Sequence, residues 1–168
     1  MITKEYRELN EKLHQRNRNY GVGGKFWIQP VKQWARSHGC KSVLDYGAGK
    51  GVLSKGLEDT LDVRMYDPCI PDISESPDKA DLVVCKDVME HVEREYVDDV
   101  LDHIKELAEK SVILSIAIIK SNKKLPDGRN CHITIEKPDW WLEKIRNRWK
   151  IEKIERKDKA VDAYCVLL

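Results

Sequence analysis

The residues most able to do chemistry sit around one glycine-rich segment, Val43-Leu44-Asp45-Tyr46-Gly47-Ala48-Gly49-Lys50-Gly51. Glycine lets the backbone turn sharply and pass close to a ligand. A dinucleotide fold wants G-x-G-x-x-G, but Val52 stands where its third glycine belongs. A phosphate loop wants Gly-Lys followed by Ser or Thr, and here Lys50 precedes Gly51. An acid two residues before the first glycine, Asp45, would also repel a pyrophosphate. A second acid, Asp67, follows a β-rich run, where a carboxylate can accept hydrogen bonds from ribose hydroxyls.

Further candidates lie downstream. Asp81-Leu82-Val83-Val84-Cys85 has the length of a buried parallel strand, and it runs into Lys86-Asp87-Val88-Met89-Glu90-His91-Val92. Asp87 has two readings, a catalytic base at a strand end or a cap on the next helix. His91 reads as a cofactor-lining or structural residue. His132 follows a basic loop, Lys120–Asn130, and could act as a neutral base near pH 7, or it could be a surface or core histidine. In that loop Lys120, Lys123, Lys124 and Arg129 could recognise an anionic group or be simply solvated. Five scattered cysteines form no CxxC pair, so buried thiols are expected, with no zinc knuckle, disulfide framework or metal site.

These motifs must be positioned by alternating strands and helices. Helical spacing predicts a helix over 3–16 (Tyr6, Leu9, Leu13) and one over 26–38, with Phe26, Pro30, Val31, Trp34 and Ala35 on one face and Gly39 as its stop. Residues 17–24, with Gly21, Gly23 and Gly24, read as a mobile loop. With Arg16, Tyr20 and Phe26 it forms either a lid or an ordinary connection. Strands are expected at 41–46, 62–66, 81–85 and 111–119, and helices at 52–58 and from Val92 to Ala108. His132–Ile135 reads as extended. Pro138 opens a helix that places Trp141, Leu142, Ile145 and Trp149 on one side, leaving Trp140 the tryptophan most apt to be outside the core. Two final strands, near 150–154 and 163–168, pair with each other. The whole is an α/β fold, a doubly wound and mostly parallel sheet with an antiparallel C-terminal strand pair. It forms one domain, with N-terminal helices and lid over 1–38 and a Rossmann-like core over 41–168.

Val43–Leu57, Asp67-Pro68 and Ala80–Val92 resemble the class I S-adenosylmethionine-dependent methyltransferases, which use G-x-G-x-G preceded by an acid. The whole chain is also similar to small phage- or bacterium-borne members of unassigned acceptor. The resemblance implies S-adenosylmethionine as cofactor, with Asp45 suited to its cationic methionine end. It further implies contacts from Tyr46, Gly47, Ala48, Gly49, Asp67, Pro68, Lys86, Asp87 and His91. The Glu90-His91-Val92 turn is expected to close over the methionine end and border the acceptor, with Asp87 and His132 as the candidate bases. One departure stands out. The family's usual helix and third strand have no room between Asp67 and Asp81, so the adenine wall is expected from Pro68, Cys69 and Ile73.

Thirty basic residues against twenty-nine acidic ones provide no general attraction to nucleic acid or membrane. Nor does Lys86-Asp87-Val88-Met89 match the Asp/Asn-Pro-Pro-aromatic turn of amino-methylating nucleic-acid enzymes. The expected reaction is methyl transfer to a small-molecule or simple polar acceptor in the cytoplasm. A non-catalytic S-adenosylmethionine-binding or partner-activating subunit and, ranked lower, a nucleic-acid methyltransferase are the alternatives. A homodimer stays open.

Overall fold

The computed structural model describes residues 2–17, 20 and 22–168. Its centre is a six-stranded sheet in the order β2-β1-β3-β4-β6-β5. The strands are β1 (Ser42–Tyr46), β2 (Asp62–Tyr66), β3 (Ala80–Lys86), β4 (Ala108–Ala117), β5 (Trp149–Arg156) and β6 (Ala160–Leu167). The first four pair in parallel, and β6 runs antiparallel to both β4 and β5.

Alternate residues of the central strands serve opposite faces. Leu44, Val83, Val112 and Leu114 pack against α4 (Val97–Leu107) and α5 (Pro138–Arg146). Val43, Leu82, Val84 and Ile113 pack against α2 (Ile28–Ser37) and the short α3 (Val52–Lys55). A sheet covered on both faces explains why these strands read as unbroken apolar runs. From β1 the chain crosses to β2 on one side and then returns to β3 on the other. The carboxyl ends of β1 and β3 therefore flank a switch point, where such sheets leave a crevice.

Helix α1 (Lys4–Arg16) lies near that crevice. Thr3 Oγ1 accepts from Tyr6 N at 3.2 Å, and Thr3 N and Oγ1 both donate to the Glu93 carboxylate at 2.7 Å. Residues 67–79 hold only a short 3-10 turn, Pro71–Ile73, so the region is abbreviated as expected. All five cysteines are buried and unpaired. Among the described residues no helix is long and apolar enough to cross a membrane.

Several expected boundaries shift for physical reasons. Gly56 caps α3 after four residues, short of the expected end at Glu58. The helix expected from Val92 begins only at Val97. Before it stand two 3-10 turns, Met89–His91 and Arg94–Tyr96, with Val92 extended between them. Tight turns can bury the same apolar positions as a helix, so the spacing misled. Phe26 lies in a 3-10 turn and is 89% exposed, off the buried face. Ala108 opens β4 instead of closing α4. Residues 132–135 join no sheet; they dock on the Met89–His91 turn, with Ile133 N and Thr134 N donating to Glu90 O.

Candidate active site

The glycine turn is tied to the end of β2. Gly47 N and Ala48 N both donate to Tyr66 O, at 2.7 and 3.1 Å, and Gly49 N donates to Asp67 Oδ2 at 3.0 Å. Asp67 Oδ1 accepts from Cys69 N at 2.9 Å. One carboxylate thus braces the turn and the start of the following loop. Gly47 has φ +79°, and a Cβ there would run into the Val88 side chain. No other residue type fits that position without strain.

Asp45 is buried below this turn, where its Oδ2 accepts from Ser54 Oγ at 2.7 Å. Burial pushes its carboxyl up to about 6, against the smaller stabilising effect of Ser54. A carboxylate held there without a cation is costly, so the site favours a positively charged ligand.

The opposite wall comes from the end of β3 and the turn after it. Asp87 has φ +54°, rare for a residue with a side chain. Its N donates to Ser115 O at 2.9 Å, and its carboxylate pairs with Lys86 Nζ. The capping reading fails, because Val88 is the cap residue of the next turn and no side chain caps it. His91 Nδ1 donates to Cys131 O at 2.7 Å, with Tyr20 Oη 3.3 Å away. Burial, followed by the nearby His132 ring, lowers the His91 imidazole to about 3. His132 Nδ1 donates to Ile119 O at 2.6 Å, and its Nε2 lies 4.0 Å from Glu90 Oε1.

A single cavity of about 410 Å³ brings these residues together. Asp45, Tyr46, Gly47, Ala48, Gly49, Asp67, Pro68, Lys86, Asp87, His91 and His132 all line it. Cys69 also lines it, but Ile73 does not; its carbonyl is occupied by Asp67 N at 2.9 Å, so it braces the loop from behind. Of the loop's basic residues Lys120, Lys123, Lys124 and Arg129, Lys123 alone lines the cavity, beside Ser121, with its Nζ 5.1 Å from the Tyr20 ring centre. Arg129 is turned away, paired with Asp127 and Glu5. In the proposed lid, Tyr20, Val22, Gly23 and Gly24 face the cavity, whereas Gly21 lies outside the described residues. Trp140 is partly exposed and packs with Arg94 and Lys144, away from the cavity, while Trp141 is buried.

Sequence reasoning missed Glu90 as a site residue. It is fully buried, neither carboxylate oxygen has a hydrogen bond, and burial with the nearby Asp87 charge raises it to about 8. The signal was a lone acid between Met89 and Val92, both buried. Tyr6, Asn10 and His14 were also missed. They stand one turn apart on α1 and face the cavity, a polar stripe where an apolar one was expected.

Similar architectures occur among solved structures. A magnesium protoporphyrin IX methyltransferase from Synechocystis, solved with S-adenosylhomocysteine, is 17% identical over 98% of both chains, with a TM-score of 0.67. The 1,6-didemethyltoxoflavin-N1-methyltransferase of Burkholderia thailandensis, solved with 1,6-didemethyltoxoflavin and S-adenosylhomocysteine, is 15% identical. That match covers 99% of this chain and 91% of the other, with a TM-score of 0.69. The N-methyltransferase NodS of Bradyrhizobium japonicum, in complex with S-adenosylhomocysteine, is 9% identical over 96% of this chain and 98% of its own, with a TM-score of 0.66. No curated protein matches the sequence. A family model described as a methyltransferase domain matches residues 5–156. With the sheet order, the glycine turn and this match together, the chain belongs to the methyltransferase domain family and has the class I methyltransferase fold.

Proposed function

We propose that this chain, working as one domain, transfers the methyl group of S-adenosylmethionine to a small polar acceptor bearing an O–H or N–H group. The observation that carries the reading is the single cavity joining the glycine turn, Asp45 and Asp67 to Asp87, His91 and His132. The neighbouring structures solved with S-adenosylhomocysteine, the product form of this cofactor, support the reading. Asp45 faces the cationic methionine end, Asp67 takes the ribose hydroxyls, and Pro68 with Cys69 walls the adenine.

The acceptor's lone pair forms a bond to the methyl carbon while the C–S pair returns to sulfur. The sulfonium becomes a neutral thioether, and the acceptor proton leaves to Asp87, His132 or water. Alignment of acceptor and methyl group supplies most of the acceleration, because the leaving group is already good. A base adds roughly 10²–10⁴-fold where the acceptor must lose its proton.

Calorimetric titration with S-adenosylmethionine and S-adenosylhomocysteine tests the cofactor, and stoichiometric binding of both is expected. Tritium transfer from labelled cofactor into a panel of small acceptors tests the reaction. If neither cofactor form binds, the reading is wrong. Binding without transfer to any acceptor identifies a cofactor-binding subunit instead.

A further inference from the structure

Two chain segments bring four metal-ligating side chains to one spot in the cavity wall. Ile133 N and Thr134 N donate to Glu90 O at 2.9 and 3.1 Å, and Thr134 Oγ1 donates to Val92 O at 2.7 Å. That zipper seats Cys131 and His132 against the Glu90-His91 turn. One donor atom from each of His91, Cys131 and His132 then lies within 4.8 Å of the others. Glu90 Oε1 stands 4.0 Å from His132 Nε2. Glu90, His91 and His132 line the cavity, while Cys131 is fully buried behind them.

Hydrogen bonding decides what these groups present. Both histidines direct Nδ1 at a backbone carbonyl, Cys131 O for His91 and Ile119 O for His132. A carbonyl can only accept, so each Nδ1 carries its proton, and in the neutral ring Nε2 presents a lone pair. Metal-binding imidazoles are oriented by this same bond. The Glu90 carboxylate is fully buried with no hydrogen bond on either oxygen. The spot therefore gathers imidazole lone pairs and a buried acid without a hydrogen-bond partner, whose ionised form is costly there until a cation joins it.

We propose that His91, His132 and Glu90, backed by Cys131, form a site for one divalent transition-metal ion at the acceptor side of the cavity. Imidazole, carboxylate and thiolate together suit zinc, cobalt(II) or iron(II), whereas magnesium and calcium prefer all-oxygen sites. Donor atoms around a tetrahedral zinc ion lie about 3.3–3.8 Å apart, so the side chains must draw in by about 1–1.5 Å and turn Nε2 toward the ion. An ion here supplies Lewis-acid polarisation to an acceptor oxygen entering from the cavity. That consequence rests on the methyl-transfer reading, and with the ion bound His132 Nε2 is engaged, so the acceptor proton goes to Asp87 or water; the metal site itself does not depend on that reading. Sequence reasoning, which found no CxxC pair, expected no metal, because the ligands come from segments distant along the chain.

The test is titration of chelator-stripped full-length protein with cobalt(II), followed by its visible absorption, and with zinc and magnesium by calorimetry. One cobalt or zinc ion per chain is expected, with magnesium at least tenfold weaker. His132→Ala and the near-isosteric Glu90→Gln should each weaken cobalt binding at least tenfold, and His38→Ala, on the far surface, should leave it unchanged. Thermal unfolding and S-adenosylmethionine titration of each variant check that the fold survives. Should His132→Ala fail to fold, Glu90→Gln decides. No stoichiometric cobalt binding, or undiminished binding in the variants that fold, overturns the site. Metal binding without S-adenosylmethionine binding would refute the cofactor reading and leave the metal site standing.

Discussion

Replacing Asp45 by Asn separates the stability of the empty protein from its affinity for a cationic cofactor. The Asp45 carboxyl is 4% exposed, and burial raises it from 3.8 to about 6. The folded state thus holds this proton more tightly than the unfolded chain. The resulting stabilisation is complete below about pH 3.8, declines as the pH rises, and is gone above about 6. At pH 7.5 the ionised group costs up to about 3 kcal/mol, at about 1.4 kcal/mol per pKa unit. Asn keeps an acceptor for Ser54 Oγ but carries no charge. The unligated variant should therefore melt higher, by roughly 6–12 °C for a chain of this size. Cofactor affinity should move the other way. An ion pair at about 5–6 Å and an effective dielectric near 20 is worth about 3 kcal/mol, or roughly a hundredfold in binding. Thermal melts with and without S-adenosylmethionine, together with calorimetric titration, read both effects. A variant that melts lower without ligand, or binds the cofactor as tightly as the parent, refutes the electrostatic reasoning. In the parent protein the same logic makes affinity fall as pH drops below about 6, where Asp45 takes up its proton.

Other predictions follow from the same geometry. Gly47→Ala combines a left-handed backbone with a collision at Val88, and should lower stability by about 2 kcal/mol or more; a melt of Gly47→Ala/Val88→Ala should recover part of the loss. Asp87→Ala and His132→Ala should lower turnover by about 10²–10⁴-fold with cofactor affinity retained if either is the base; full turnover in both sinks the base role. Arg148, in the turn between α5 and β5, joins Asp102 on α4 at 2.6 Å and Asp98 at 3.1 Å, and none of the three lines the cavity. Arg148→Ala should cost about 1–3 kcal/mol in denaturant melts and leave cofactor titration unchanged.

Much of the fold was legible in the chain, because local chemistry and tertiary demand agree there. The apolar runs of β1, β3 and β4 announce strands buried on both faces, and the Gly47–Gly51 turn has few conformations open to it. Asp45 and Asp67 could be picked out because a charge at a buried strand end needs a ligand or a backbone partner. Boundaries were less legible where two local structures bury the same side chains, as in the 3-10 turns before Val97. What only the tertiary structure decided is the far wall of the cavity. Nothing in the sequence says that residues 131–134 dock on the Glu90 backbone, or that Nδ1 of two distant histidines finds a carbonyl. The contacts to Glu90 and His91 link segments some forty residues apart, and His132 reaches back thirteen residues to Ile119; all depend on how the β4–α5 connection packs over the sheet edge. The cofactor side is written in consecutive residues. The acceptor side arises from a juxtaposition made only by folding.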